Sequence, residues 1–198
     1  PGSVRCHQGY IIRNKVIGMT SRERMMTALS GGIPDRVPCA PDMSNMIPCR
    51  LTGRPFYDIY LHQNPPLWKA YMDAVRYFGT DGWFIDGDPG YTYEDVGVTV
   101  DSTVRDGADG SKILRQVFHT PKGDLTQETT MFRDNSPAIT EGMIKDFERD
   151  YSKLEYMFPP VTGCNPERLQ EQKKYVGEDG IFCTGIMPFG LHTMMIYF

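Results

Sequence analysis

Three short clusters, two of them polar and the third an apolar mouth with one histidine, each follow a brief apolar run, and their residue types suit proton transfer and ligand recognition. Asp42, Ser44 and Asn45 follow Arg36 to Ala40. Asp86 and Asp88 end the run that begins at Gly82, and Met187, Phe189 and His192 follow the run that begins at Gly180. A carboxylate such as Asp88 can accept several N–H donors at once and stabilise positive charge developing on a ligand. The alternative for Asp86 and Asp88 is a plain turn around Gly87 and Pro89. His192 lies among Met187, Phe189, Met194 and Met195. It is either a proton carrier or a satisfied core histidine. Arg50 and Arg54 stand four apart, so a helix would turn both planar forks to one side, an arrangement that suits carboxylate ligands. Gly53 between them weakens such a helix, and solvated surface arginines are the alternative.

The elements that must position these groups are read from caps and periodicity. Thr20 and Glu23 form a capping-box pattern, and Gly31, Gly32 and Pro34 stop the helix that follows it. Arg36 to Ala40 then reads as a short buried strand with Asp42, Ser44 and Asn45 at its tip. Met46 to Arg50 and the residues after Pro55 read as short helices. Leu67 to Phe78 reads as a longer one, with Trp68, Tyr71, Met72, Val75 and Phe78 at helical spacing and Gly79 as its stop. A strand from Asp81 completes a βαβ unit with a parallel pair. Alternation at Val96, Val98 and Val100, then in 113–118 and 125–131, predicts three antiparallel strands, with a tight turn at Pro121 to Asp124. They form either a binding lid or a structural flap. Thr140 is expected to cap a helix with Ile144, Phe147, Tyr151 and Leu154 on one face. Asn165 and Pro166 open another that ends near Gly177, before a third parallel strand from Gly180. In this arrangement the three clusters share one rim.

The run Met19 to Pro38, with its capped helix, its Pro-Asp-Arg-Val-Pro turn and the strand after it, resembles the opening of the uroporphyrinogen decarboxylase superfamily. That superfamily also contains the cobalamin-linked methyltransferases that methylate coenzyme M. The resemblance implies an α/β fold of the (β/α)8 TIM-barrel type with its site at the carboxyl ends of the strands. Residues 19–198 are therefore expected to be the N-terminal half of such a barrel, a partial (β/α)8 barrel with an antiparallel β-hairpin insertion at about 91–133. Residues 1–18 are read as a tag or upstream segment. A full barrel typically takes about 250 residues, and this sequence of 198 stops inside an apolar run. The expectation is a truncated chain, or a half-barrel completed by another chain.

Residue roles follow from the resemblance. Asp88 matches the aspartate that holds the pyrrole nitrogens in the decarboxylases. Arg50 and Arg54 are similar to their substrate-binding arginine pair, but displaced, because Asp42 to Cys49 intervene. Tyr197 lies nearest to their tyrosine after the third strand, whose aligned position is Met194 here. The methyltransferases bind zinc through a His-x-Cys pair and a distant cysteine. Those positions fall in a missing C-terminal half, so no cofactor is evident in this chain. Asp42, Asn45, Asp86, Met187 and Phe189 complete the expected substrate-binding set, with Asp88 and His192 as catalytic candidates.

Composition narrows the partners. A net charge of −4, with no run of Lys or Arg, gives no electrostatic footprint for nucleic acid. No apolar run approaches the roughly 18 residues of a membrane span. Cysteines at 6, 39, 49, 164 and 183 are odd in number and lack a C-x-x-C pair, which favours a reducing cytoplasm over a disulfide framework. The displaced arginines favour corrinoid-dependent methyl transfer to a thiol. A tetrapyrrole decarboxylase is the alternative, and a non-catalytic tetrapyrrole- or corrinoid-binding module a second one. The partners to expect are a small tetrapyrrole or a corrinoid protein, with a homodimer open.

Overall fold

The computed structural model describes residues 18–184, the side chains of 85 and 86 excepted, and its first element is α1, Ser21–Leu29. The Thr20 hydroxyl accepts from the Glu23 amide at 3.1 Å and the Glu23 carboxylate accepts from the Thr20 amide at 2.8 Å. Two donors at the helix start are thus satisfied reciprocally. The helix ends at Ser30, and Gly31 takes a φ of +77°, which turns the chain away.

The segment from Arg36 to Ala40, expected as the first barrel strand, joins no ladder. Pro38 removes an amide donor from within it, and Pro34 and Pro41 flank it. A side chain and one backbone contact take the place of a neighbouring strand. The Cys39 amide donates to Asp81 Oδ2 at 2.8 Å, and the Cys39 carbonyl accepts from the Asp81 amide at 2.8 Å.

Three helices follow, α2 (Met46–Leu51), α3 (Phe56–His62) and α4 (Leu67–Phe78), the last closed by Gly79 in the left-handed conformation. Chain order then gives β1 (Gly82–Gly87), β2 (Tyr91–Tyr93), β3 (Thr99–Asp106), β4 (Lys112–Thr120), β5 (Gly123–Met131) and β6 (Ala138–Glu141). Next come α5 (Phe147–Asp150), a 3-10 turn over Tyr151–Met157, β7 (Val161–Cys164), α6 (Pro166–Val176) and β8 (Gly180–Thr184). β1 pairs in parallel with β8, β2 pairs antiparallel with β7, and β3 to β6 form a four-stranded antiparallel sheet in sequence order.

This is a mixed α/β fold, and the expectation of a partial (β/α)8 barrel is overturned. Among the described residues only one pair of strands is parallel, and no sheet closes. The first strand is lost to its prolines, and after β1 the chain leaves through β2 and returns through β7. The antiparallel part is also larger than a hairpin with one more strand. Thr140, expected to cap a helix, lies in β6, and Asp146 caps the four-residue α5 instead, accepting from the Arg149 amide at 2.9 Å. Of the apolar stripe predicted there, Phe147 and Tyr151 are exposed and Leu154 is buried.

Two cores result. Met72, Ala74 and Val75 of α4 pack with Phe84 of β1, Val176 of α6 and Met43, and Trp68, Tyr71, Tyr175 and Phe182 cover them. Phe84 stacks on Phe182 with centroids 5.5 Å apart and meets Trp68 edge-on at 6.4 Å. A second cluster of Leu125, Met143 and Leu154 lies under the four-stranded sheet. Beside it, buried Asp150 accepts from the amides of Lys145 and Asp146 and pairs with Lys153 at 2.9 Å, which ties α5 to the sheet.

An ion-pair node fixes the Pro-Asp-Arg-Val-Pro segment. Buried Arg24 donates to Asp35 at 2.6 Å, to Asp81 at 2.5 Å and to the Met19 carbonyl at 2.7 Å. Arg36 donates to Asp81 at 2.8 Å. Burial opposes ionisation of Asp81, but the Cys39 amide, the Ser21 hydroxyl and both arginines outweigh it and hold its carboxyl below the usual range. Asp35, bonded to Arg24, is lowered to about 2.

On the outer sheet, His119 sits between Asp124, 2.8 Å from Nδ1, and Asp101, 3.2 Å from Nε2. The bond to Asp124, then that to Asp101, raises its pKa above the usual 6.5. The folded state therefore favours the protonated ring. The stability this adds is full below the unfolded value of about 6.5 and is lost as pH rises through the raised folded value. In an NMR titration the His119 midpoint is expected to lie above that of an exposed histidine and to fall in Asp124→Asn. An unchanged midpoint in that variant would remove the assigned cause.

Candidate functional site

The described residue cluster with the best chemistry is an open cleft of about 430 Å³ between the segment 40–45, α4 and β1. That volume lies in the range of small-molecule sites. Local rules explain its lining. Met43 is buried in the core while Asp42, Ser44 and Asn45 on either side of it are exposed, so one apolar anchor holds a polar tip over the cleft. Asp42 Oδ1 accepts the Ser44 amide at 2.7 Å, closing a tight turn in which Ser44 takes a φ of +53°. Asn45 is the first residue of the turn into α2, and its carbonyl accepts the Cys49 amide at 3.1 Å.

The opposite wall is aromatic. Strand alternation sends Phe84 into the core and Trp83 to the other face, where it is 51 % exposed and lines the cleft. The Tyr71 hydroxyl donates to the Trp83 carbonyl at 3.0 Å, coupling α4 to β1 at the cleft wall. Neither aromatic belonged to the expected site. Trp83 was legible in principle, since it alternates with a residue that must face the core. Tyr71 was hidden by its place on the apolar stripe of α4.

The expected site residues do not all meet here. Asp42 and Asn45 line the cleft. Asp88 forms a turn at the end of β1. Its Oδ1 accepts the Gly90 amide at 2.7 Å, its Oδ2 pairs with Arg168 at 3.0 Å, and its own amide donates to buried Gln172 at 2.8 Å. Arg50 is exposed in the last turn of α2. That helix ends at Leu51, and Gly53 turns at a φ of +70°, so Arg54 shares no helix face with Arg50 and lines a separate hollow with Leu51, Thr52 and Asp73. The side chain of Asp86, and Met187, Phe189, His192 and Tyr197, lie outside the described residues.

The zinc implied by the resemblance finds no ligand set among the described residues. No three His, Cys, Asp or Glu side chains converge there. Cys49 is fully buried, and burial pushes its thiol up, away from the thiolate a metal needs. No helix among the described residues is long and apolar enough to cross a membrane. No protein-family model matches the chain, and no curated protein or solved structure is significantly similar to it.

Proposed function

We propose that the chain is part of an enzyme of the uroporphyrinogen decarboxylase and cobalamin-linked methyltransferase kind, acting in methyl transfer from a methylated corrinoid protein to a thiol. In this reading the cleft beside Asp42 and Trp83 receives the methyl-bearing ligand. The observation that supports it is the use made of the resembling residues. Arg24, Asp35 and Arg36 all join the node around Asp81, which holds the segment leading to Asp42 and Asn45 in place. A reducing cytoplasm suits the free state of Cys39, Cys49, Cys164 and Cys183.

Charge at the cleft favours methyl transfer over tetrapyrrole decarboxylation. Its lining includes a carboxylate and no arginine or lysine among the described residues. A substrate carrying several carboxylates would lack counter-charges there and meet Asp42 as a like charge. Asp88, the residue the decarboxylase reading depends on, already accepts from Gly90 and Arg168.

Equilibrium dialysis with methylcobalamin and with uroporphyrin tests the choice. Methylcobalamin is expected to be retained, with retention falling at least fivefold in Trp83→Ala, while uroporphyrin is not retained. Retention of uroporphyrin that depends on Asp88 would reverse the assignment to the decarboxylase. Retention of neither would reject the cleft as a site for a tetrapyrrole or corrinoid.

A further inference from the structure

We infer that the same cleft takes a methylated organic cation, a quaternary ammonium group seated against Trp83 with Asp42 as its counter-charge. The inference rests on the cleft being a ligand site, and it adds to that site a second ligand class besides the corrinoid.

The lining selects for this chemistry. An indole with half its surface open, next to a tyrosine, offers the negative π-face that attracts a cation, and Trp is the strongest of the aromatic side chains in this role. The methyl groups of a quaternary ammonium are apolar on contact, and the wall that Ala40 and Pro41 add is apolar as well. The carboxylate supplies what a purely aromatic surface lacks. Asp42 uses Oδ1 for the Ser44 amide, and it forms no ion pair among the described residues. Its charge is therefore not neutralised by an arginine, unlike that of Asp35, Asp81, Asp88 or Asp150. With no lysine or arginine in the described lining, no described residue of the cleft repels a cation. A cation without N–H donors also fits the wall better than a primary ammonium, because the aromatic rings accept no conventional hydrogen bond.

Choline and its neutral isostere 3,3-dimethylbutan-1-ol differ in charge at nearly constant shape, so the pair isolates the electrostatic part of the recognition. Titrated into the protein, choline is expected to change the emission of Trp83 saturably, with a Kd at least fivefold lower than that of the isostere. Asp42→Asn keeps the oxygen that accepts the Ser44 amide and removes the charge. It is expected to weaken choline at least fivefold and to leave the isostere unchanged. Trp83→Leu removes the reporter, so it is followed by saturation transfer to the choline methyl protons, which should disappear. Equal affinity for choline and the isostere, or an unchanged choline Kd in Asp42→Asn, would overturn the cation assignment. Failure of both small probes while methylcobalamin is still retained in dialysis would also overturn it and leave the corrinoid reading standing. Failure of all three would remove both.

Discussion

Replacing Arg24 with methionine is expected to lower the unfolding free energy by about 3–5 kcal/mol, the scale on which breaking one side of a buried ion pair costs a protein. Methionine fills much of the volume of the arginine stem, so the loss would come from charge. Asp81, with a side chain fully shielded from solvent, would be left with one of its two arginines, and Asp35 would lose both of its bonds from Arg24. Arg36 reaches the same carboxylate from a position where 46 % of its side chain is exposed, and Arg36→Met is expected to cost about 1 kcal/mol or less. Urea unfolding of the two variants checks the contrast. Equal losses would mean that Arg24 does not hold the node.

The same pair of variants has a pH signature. Asp35 and Asp81 have folded pKa values below their ordinary range, Asp35 at about 2. Their contribution to stability is present above the unfolded value of about 3.9 and is lost as pH falls through the folded values. Arg24→Met brings those values back toward ordinary ones. Its stability is therefore expected to fall less steeply between about pH 4 and pH 2 than that of the parent chain.

The second large effect belongs to Phe84→Ala, expected to cost about 3–5 kcal/mol, as truncation of a buried aromatic usually does. Phe84 is 1 % exposed and is the ring on which Trp68, Tyr71 and Phe182 converge. Its neighbour gives the internal control. Trp83→Ala removes a larger ring from the opposite face of β1, where it is half open, and is expected to cost about 1 kcal/mol while lowering retention of methylcobalamin at least fivefold. A stability loss for Trp83→Ala as large as for Phe84→Ala would mean that the tryptophan is core and the cleft wall is not its role.

Local chemistry made much of the fold legible. The capping box at Thr20 and Glu23, the stop at Gly79, the start at Asn165 and Pro166 and the turn after Thr120 all depend on near neighbours, and all form as expected. The strand from Gly180 also forms and lies parallel to β1, whereas the parallel pair expected of β1 with Arg36 to Ala40 does not form. The reading failed where a distant group decides. Arg36 to Ala40 has the apolar pattern of a strand, yet its prolines and the carboxylate of Asp81, more than forty residues on, give it a different partner. Strand β6 was hidden because Ala138 to Glu141 resembles a helix start as much as a strand, and β2 and β7 are short enough to carry little pattern. At the cleft, Asp42 and Asn45 were legible as a polar tip. Their aromatic wall was legible only in part: alternation with Phe84 marks Trp83 for the other face of β1, whereas the apolar stripe of α4 hides Tyr71.

The pairing of β1 with β8 sets the order in which the molecule assembles. Strands β3 to β6 are consecutive and their pairings are local, so their contacts close quickly. Gly82 meets Gly180 only after a loop of about a hundred residues has closed, and the approach is so tight that a Cβ on Gly180 would collide with the Gly82 backbone. That contact is expected to form late. Its weakening, as in Gly180→Ala, should raise the unfolding rate far more than it slows folding. Because Trp83 stands one residue along from Gly82, the cleft it lines is expected to mature late in folding and to be lost early when β8 detaches.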